Sequence, residues 1–116
     1  MSIKPIPFDP TSFDTLHEAN KLRQGESYTE RTGSWISSDW AASLAGEVGE
    51  FCNLVKKLRR GDQVPSEELA RELADVIIYA ELNASYHGID LAKAVVSKFN
   101  EVSQRVGSKI RLQLLP

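Results

Sequence analysis

Two segments of this chain, 44–58 and 69–84, repeat apolar residues at helical spacing, and each breaks its own apolar stripe with two acids three residues apart. At about 100° per residue, the first stripe comprises Leu44, Val48, Phe51, Leu54, Val55 and Leu58; Glu47 falls inside it and Glu50 at its edge. The second comprises Leu69, Leu73, Val76, Ile77, Ala80 and Ala84, with Glu72 beside Val76 and Tyr79 and Asp75 one step round. Both helices therefore aim an i, i+3 carboxylate pair toward the interior. The members of such a pair repel one another, and a buried carboxylate without a partner must be compensated or take a proton.

A divalent cation is the simplest compensation, and an all-oxygen set suits Mg²⁺, or Mn²⁺ in its place, rather than zinc or copper. Glu47, Glu50, Glu72 and Asp75 are the candidate ligands. The alternative is a solvated edge, with the acids paired to Lys56, Lys57, Arg59, Arg60 or Arg71; for a single helical Glu that is the ordinary reading. Two equally spaced pairs on consecutive helices, both on the apolar side, weigh against it. A di-iron carboxylate bundle would require Glu-x-x-His motifs, and neither His17 nor His87 stands three residues after a Glu.

The remaining chain reads as an all-α domain spanning 1–116. Pro5, Pro7 and Pro10 predict an extended N-terminal arm over 1–10. Phe13, Leu16, Ala19 and Leu22 predict a first helix over 11–24. Residues 25–37, rich in Gly, Ser and Thr, read as a loop. A second helix is predicted from Asp39 to Arg60 with Ser37 or Ser38 as its cap, and a third from Ser66 to Tyr86, stopping at His87-Gly88. Asp90 caps a fourth, closed by Gly107, and 107–116 form a tail.

At 116 residues one core is affordable and two are not. The formal net charge of −2 and pI near 5.7 exclude a global basic field, so long nucleic acid is not an expected partner. The single cysteine, Cys52, allows no internal disulfide and no thiolate metal site. Neither a signal-peptide stretch nor a membrane-length apolar run is present, and the expected location is the cytoplasm, away from membranes.

Trp40, LAGEVGE (44–50), ELADVIIY (72–79) and GIDLAKAVVSKFNEVSQR (88–105) together resemble the MazG-like all-α nucleoside triphosphate pyrophosphohydrolases, whose signature is E-x-x-E followed some twenty residues later by E-x-x-D. The resemblance covers roughly residues 40–105. It implies a four-helix bundle assembled with partner subunits, and Mg²⁺-dependent cleavage of an NTP or dNTP to the monophosphate and pyrophosphate in nucleotide-pool housekeeping. The four acids would then be both metal ligands and catalytic residues, since a bound metal lowers the pKa of water and neutralises phosphoryl charge.

The resemblance further implies that Lys98 lies near the phosphates, with Asn100 and Arg105 at positions the family also uses. The Asn that deoxycytidine-selective relatives carry four residues after this lysine is Val102 here, which departs from a cytosine preference. Trp35, Trp40 and Tyr79 are candidates to stack on or wall in the base, against the alternative of core packing for each. Asn20 and Arg23 would reach the nucleotide if the first helix lies over the site. Relatives of this kind form dimers or tetramers, and Ile78 and Leu82, outside the main stripe, are expected to face a second copy of the chain. Two other functions stay open: the phosphoribosyl-ATP pyrophosphohydrolase of histidine biosynthesis, and a non-catalytic helical binding or dimerisation module.

Overall fold

Helix ends fall where local chemistry puts them. The computed structural model describes residues 3–116, apart from the side chains of 28–30. In chain order it holds β1 (Ile6–Phe8), α1 (Thr11–Arg23), α2 (Thr29–Thr32), α3 (Ser37–Arg59), α4 (Ser66–Tyr86), α5 (Leu91–Arg105) and β2 (Leu112–Leu114). The architecture is all-α, with four long helices. Asp90 accepts from the Lys93 amide at 3.1 Å and opens α5, while Gly88 (φ 67) and Gly107 (φ 76) take the left-handed conformation that ends α4 and α5. The α3 cap differs from the expected serine. Ile36 holds that position, and the Asp39 carboxylate turns back to accept its amide at 2.9 Å. Ser37 bonds the ring Nε2 of His87 at 2.9 Å instead, tying the start of α3 to the end of α4.

The segment read as a loop over 25–37 is largely helical. A π turn, Gln24–Tyr28, runs from α1 directly into α2. The Thr32 hydroxyl donates to Gln24 Oε1 at 2.7 Å across this segment and closes it on itself. An i→i+5 turn carries no repeating apolar period, so nothing in the residue pattern announces it.

The arm holds a short strand, and the tail, for which no conformation was expected, holds another that pairs with it. β1 and β2 run parallel, with Ile6 opposite Leu112 and Phe8 opposite Leu114. Pro7 is tolerated because a two-stranded ribbon is all edge. Asn100 on α5 anchors β2 through both ends of its amide: Nδ2 donates to the Leu112 carbonyl at 2.9 Å and Oδ1 accepts the Leu112 amide at 2.8 Å.

The most extensive packing joins α3 to α4; α1 lies against α4, and α5 packs chiefly on β2 and α1. Half-buried residues recur at helical spacing along the α3–α4 seam, at Leu44, Glu47, Phe51 and Leu54 on one helix and Leu69, Glu72, Val76 and Tyr79 on the other. The seam is rotated from the predicted stripe centre. Leu82 is buried, at 7% exposure, and Ile78 half-buried, whereas Val48, Val55, Leu58, Leu73 and Ile77 lie exposed. The wheel locates the stripe but not which flank of it meets the neighbouring helix, and α1 covers the Leu82 side. The radius of gyration is 17.2 Å, against about 13 Å for a compact domain of this length. A single chain does not close round its own apolar surface.

Candidate functional site

The seam carries the acids. Glu47 and Glu72 occupy core positions of α3 and α4, each half-buried, and one carboxylate oxygen from each of Glu47, Glu50 and Glu72 lies within 4.8 Å of the others. Asp75 stands outside that group but close enough for its charge to act on both Glu47 and Glu72. Oε2 of Glu47 and Oε2 of Glu72 are buried without a hydrogen-bond partner.

Such crowding disfavours the ionised forms. Glu47 is raised above its usual 4.5, first by desolvation and then by the charges of Glu50, Asp75 and Glu72. Glu72 is raised foremost by hydrogen bonding toward the Glu50 carboxyl, then by desolvation and by the charges of Glu50 and Asp75; Arg71 offsets part of this. Two buried oxygens with no donor, facing a third carboxylate, fit a divalent cation: hard oxygen ligands, negative charge in excess, and lone pairs left open. Gly46 stands one turn before Glu50 on the same face of α3, and a Cβ there would meet no atom within 4 Å beyond its own stretch of helix.

One helical turn beyond Asp75, Tyr79 leads from the acids to an aromatic cleft. Trp35, Trp40 and Tyr79 line a space of about 80 Å³ together with Arg23, Gln24 and Thr32. Trp35 meets Trp40 edge-on with ring centroids 4.8 Å apart. Trp40 is 7% exposed, so it serves the core as well as the cleft wall. A second space of about 260 Å³, lined by Asn20, Lys21, Ser85 and Tyr86, shares Gln24, Trp40 and Leu82 with the first. Asn83, which no sequence motif singles out, holds this wall by donating from Nδ2 to the Trp40 carbonyl at 3.0 Å and the Tyr79 carbonyl at 2.7 Å.

The α5 candidates lie elsewhere in the chain. Lys98 is exposed and pairs with Glu101 at 3.3 Å, a surface pair worth little; it borders a groove with Val95, Phe99, Val102 and Val106. Arg105 is exposed at the end of α5. Asn100, expected near the phosphates, is engaged by the Leu112 backbone.

The family model described as MazG nucleotide pyrophosphohydrolase domain matches residues 37–107, which take in α3, α4 and α5 whole. No curated protein and no solved structure matches the chain. No helix is long and apolar enough, among the described residues, to cross a membrane.

Proposed function

The chain belongs to the MazG nucleotide pyrophosphohydrolase family, and from that premise we propose that it hydrolyses a nucleoside triphosphate, NTP or dNTP, to the monophosphate and pyrophosphate with a divalent cation, Mg²⁺ or Mn²⁺. The observation that carries this reading is the pair of buried, partnerless oxygens of Glu47 and Glu72 beside Glu50. Glu47, Glu50, Glu72 and Asp75 would hold the cation. When bound, it supplies charge neutralisation on the phosphate oxygens and a water of lowered pKa.

The chain's own groups account for the remaining steps. A carboxylate of the cluster orients the attacking water and takes its proton; the water oxygen joins one phosphorus of the α–β link, and the bridging oxygen leaves with the other. Tyr79 follows Glu72 by two helical turns, roughly 10 Å, so a nucleotide with its phosphates at the acids sets its base toward Trp35 and Trp40. Arg23 borders the same cleft.

A second copy of the chain completes the assembly in this reading. Val48, Val55, Leu58, Leu73 and Ile77 are exposed apolar residues on the two helices that carry the acids, and a second copy would take them from water. In its own chain α5 packs chiefly on β2 and α1, so Lys98 and Arg105 would serve the phosphates of a partner's site. The cytoplasm is the proposed location, and housekeeping of the nucleotide pool the proposed role.

Pyrophosphate release measured over the common NTPs and dNTPs, with and without Mg²⁺, tests the reading. Metal-dependent release, lost in Glu47→Gln and Glu72→Gln, supports it; undiminished release in both variants overturns it. Activity on phosphoribosyl-ATP alone would move the assignment to that enzyme. No release, with no nucleotide-dependent stabilisation, would leave a binding module.

A further inference from the structure

Glu81 is a buried carboxylate that the acid cluster does not use. It lies on α4 and is 3% exposed, gripped by two residues of α1. His17 Nδ1 lies 2.6 Å from Oε1, and Asn20 Nδ2 donates to Oε2 at 2.7 Å. His17 and Asn20 are three residues apart and share one face of α1, so the two oxygens of one carboxylate fix that helix both in rotation and along its axis. Asn20 is itself 3% exposed and also reaches the Ile78 carbonyl at 3.5 Å.

The rest of α1 holds on weakly. Asn20 is its one buried residue, Phe13 and Leu16 are half-buried, and Leu22 is 71% exposed. Apolar side chains in place of the triad would attach two helices at least as firmly while allowing them to slide, since burying polar groups carries a desolvation cost. What the triad adds is register. That register matters downstream, because α1 runs without a break through the π turn into α2, and this continuous arm sets Arg23, Gln24 and Thr32 against Trp40 and Tyr79. The arm has its own internal bond from Thr32 to Gln24 and continues α1 without a break.

We infer that Glu81 is a positioning residue for the nucleotide: through His17 and Asn20 it holds the α1–α2 arm, and Arg23 with it, over the aromatic cleft. This inference rests on the hydrolase reading above. Glu81 touches neither the acids nor the reacting bond, so it acts on substrate binding and not on the chemical step.

The experiment is steady-state pyrophosphate release by the full-length protein, with the best NTP or dNTP at saturating Mg²⁺. Glu81→Leu is expected to raise KM about tenfold with kcat held within about twofold, the pattern of lost uniform binding. Glu81→Gln, which can still accept from Asn20, should fall between that variant and the unmodified chain. Arg23→Ala should raise KM on its own, and in the Glu81→Leu background it should add little, because the arm is already displaced; independent sites would multiply. A general loss of stability would not produce that coupling. Should Glu81→Leu fail to fold, His17→Ala and Asn20→Ala carry the same expectations. Unchanged KM in the folded variants, a fall in kcat alone, or multiplicative effects with Arg23→Ala overturn the inference and leave the hydrolase reading intact. Absence of release by the unmodified chain removes the hydrolase reading and this inference with it.

Discussion

Neutralising Glu47 should have effects of opposite sign with and without metal. Glu47 and Glu50 carry oxygens within 4.8 Å; two unit charges at that spacing repel by about 1 kcal/mol even with the full screening of water, the appropriate limit for a site this open. Glu47→Gln removes that repulsion along with part of the desolvation penalty, so the metal-free variant should melt about 4 °C above the unmodified protein, taking about 4 °C per kcal/mol for a chain of this length. Mg²⁺ reverses the order. A ligand at a hundred times its Kd stabilises the native state by about 2.7 kcal/mol, or about 10 °C in the unmodified protein on the same conversion, and the variant should gain little of it. Differential scanning fluorimetry in EDTA and across a Mg²⁺ titration reads both effects. The reasoning is refuted if the metal-free variant melts at or below the unmodified protein while Mg²⁺ raises both equally, for then Glu47 is an ordinary surface acid.

The raised pKa values of Glu47 and Glu72 set a pH dependence. Their contribution to metal-free stability is fully present below the usual 4.5 and lost as pH rises through the raised folded values, so from these groups the melting temperature falls toward neutrality, and the Mg²⁺ concentration for half-saturation falls over the same window. Ile77, exposed on α4, should tolerate Glu as a folded chain yet lose self-association, read as a shift to lower mass in sedimentation; unchanged mass would remove that flank from the interface. Gly49→Ala adds a methyl on the face of α3 opposite Glu47, where it meets no atom within 4 Å beyond its own stretch of helix, and should stabilise the helix by up to about 1 kcal/mol, read as a rise in melting temperature with turnover unchanged. Asn100→Ala removes both bonds to Leu112 and should speed amide exchange in β2 without altering turnover; a collapse of kcat would return Asn100 to the phosphates.

What the sequence made legible follows the range over which its signals act. Asp90, Gly88 and Gly107 announce α5 and its neighbours because capping is a matter of three or four residues. The meeting of Glu47, Glu50 and Glu72 was readable because both acid pairs interrupt an apolar period. The π turn was not, since Gln24–Tyr28 carries no repeating apolar period, and the Thr32–Gln24 bond across it joins residues eight apart. Neither was the β1–β2 pairing, whose partners lie at opposite ends of the chain. Glu81 was hidden for another reason. A Glu on a helix reads as solvent-facing, and only its contact with His17 and Asn20, some sixty residues earlier, makes it interior. The flank of the stripe that lies open, Val48 and Ile77 rather than Leu82, depends on where α1 sits, which no periodicity within α3 or α4 encodes.

The ribbon of β1 and β2 bears on the order in which this chain assembles. Pairing Ile6 with Leu112 in an otherwise unstructured chain would close a loop of about a hundred residues, at an entropic cost of about 4 kcal/mol, for a few backbone bonds at an exposed edge. The α3–α4 hairpin needs only the short connection through Pro65 and can form early from local contacts. Once α1 has docked on α4 and α5 on α1, the effective loop is a small fraction of its original length and the ribbon can close. The two ends of the chain therefore report on each other: protection of the Ile6 and Leu115 amides from exchange should appear last during refolding and vanish first under mild denaturant, ahead of any loosening at the acids.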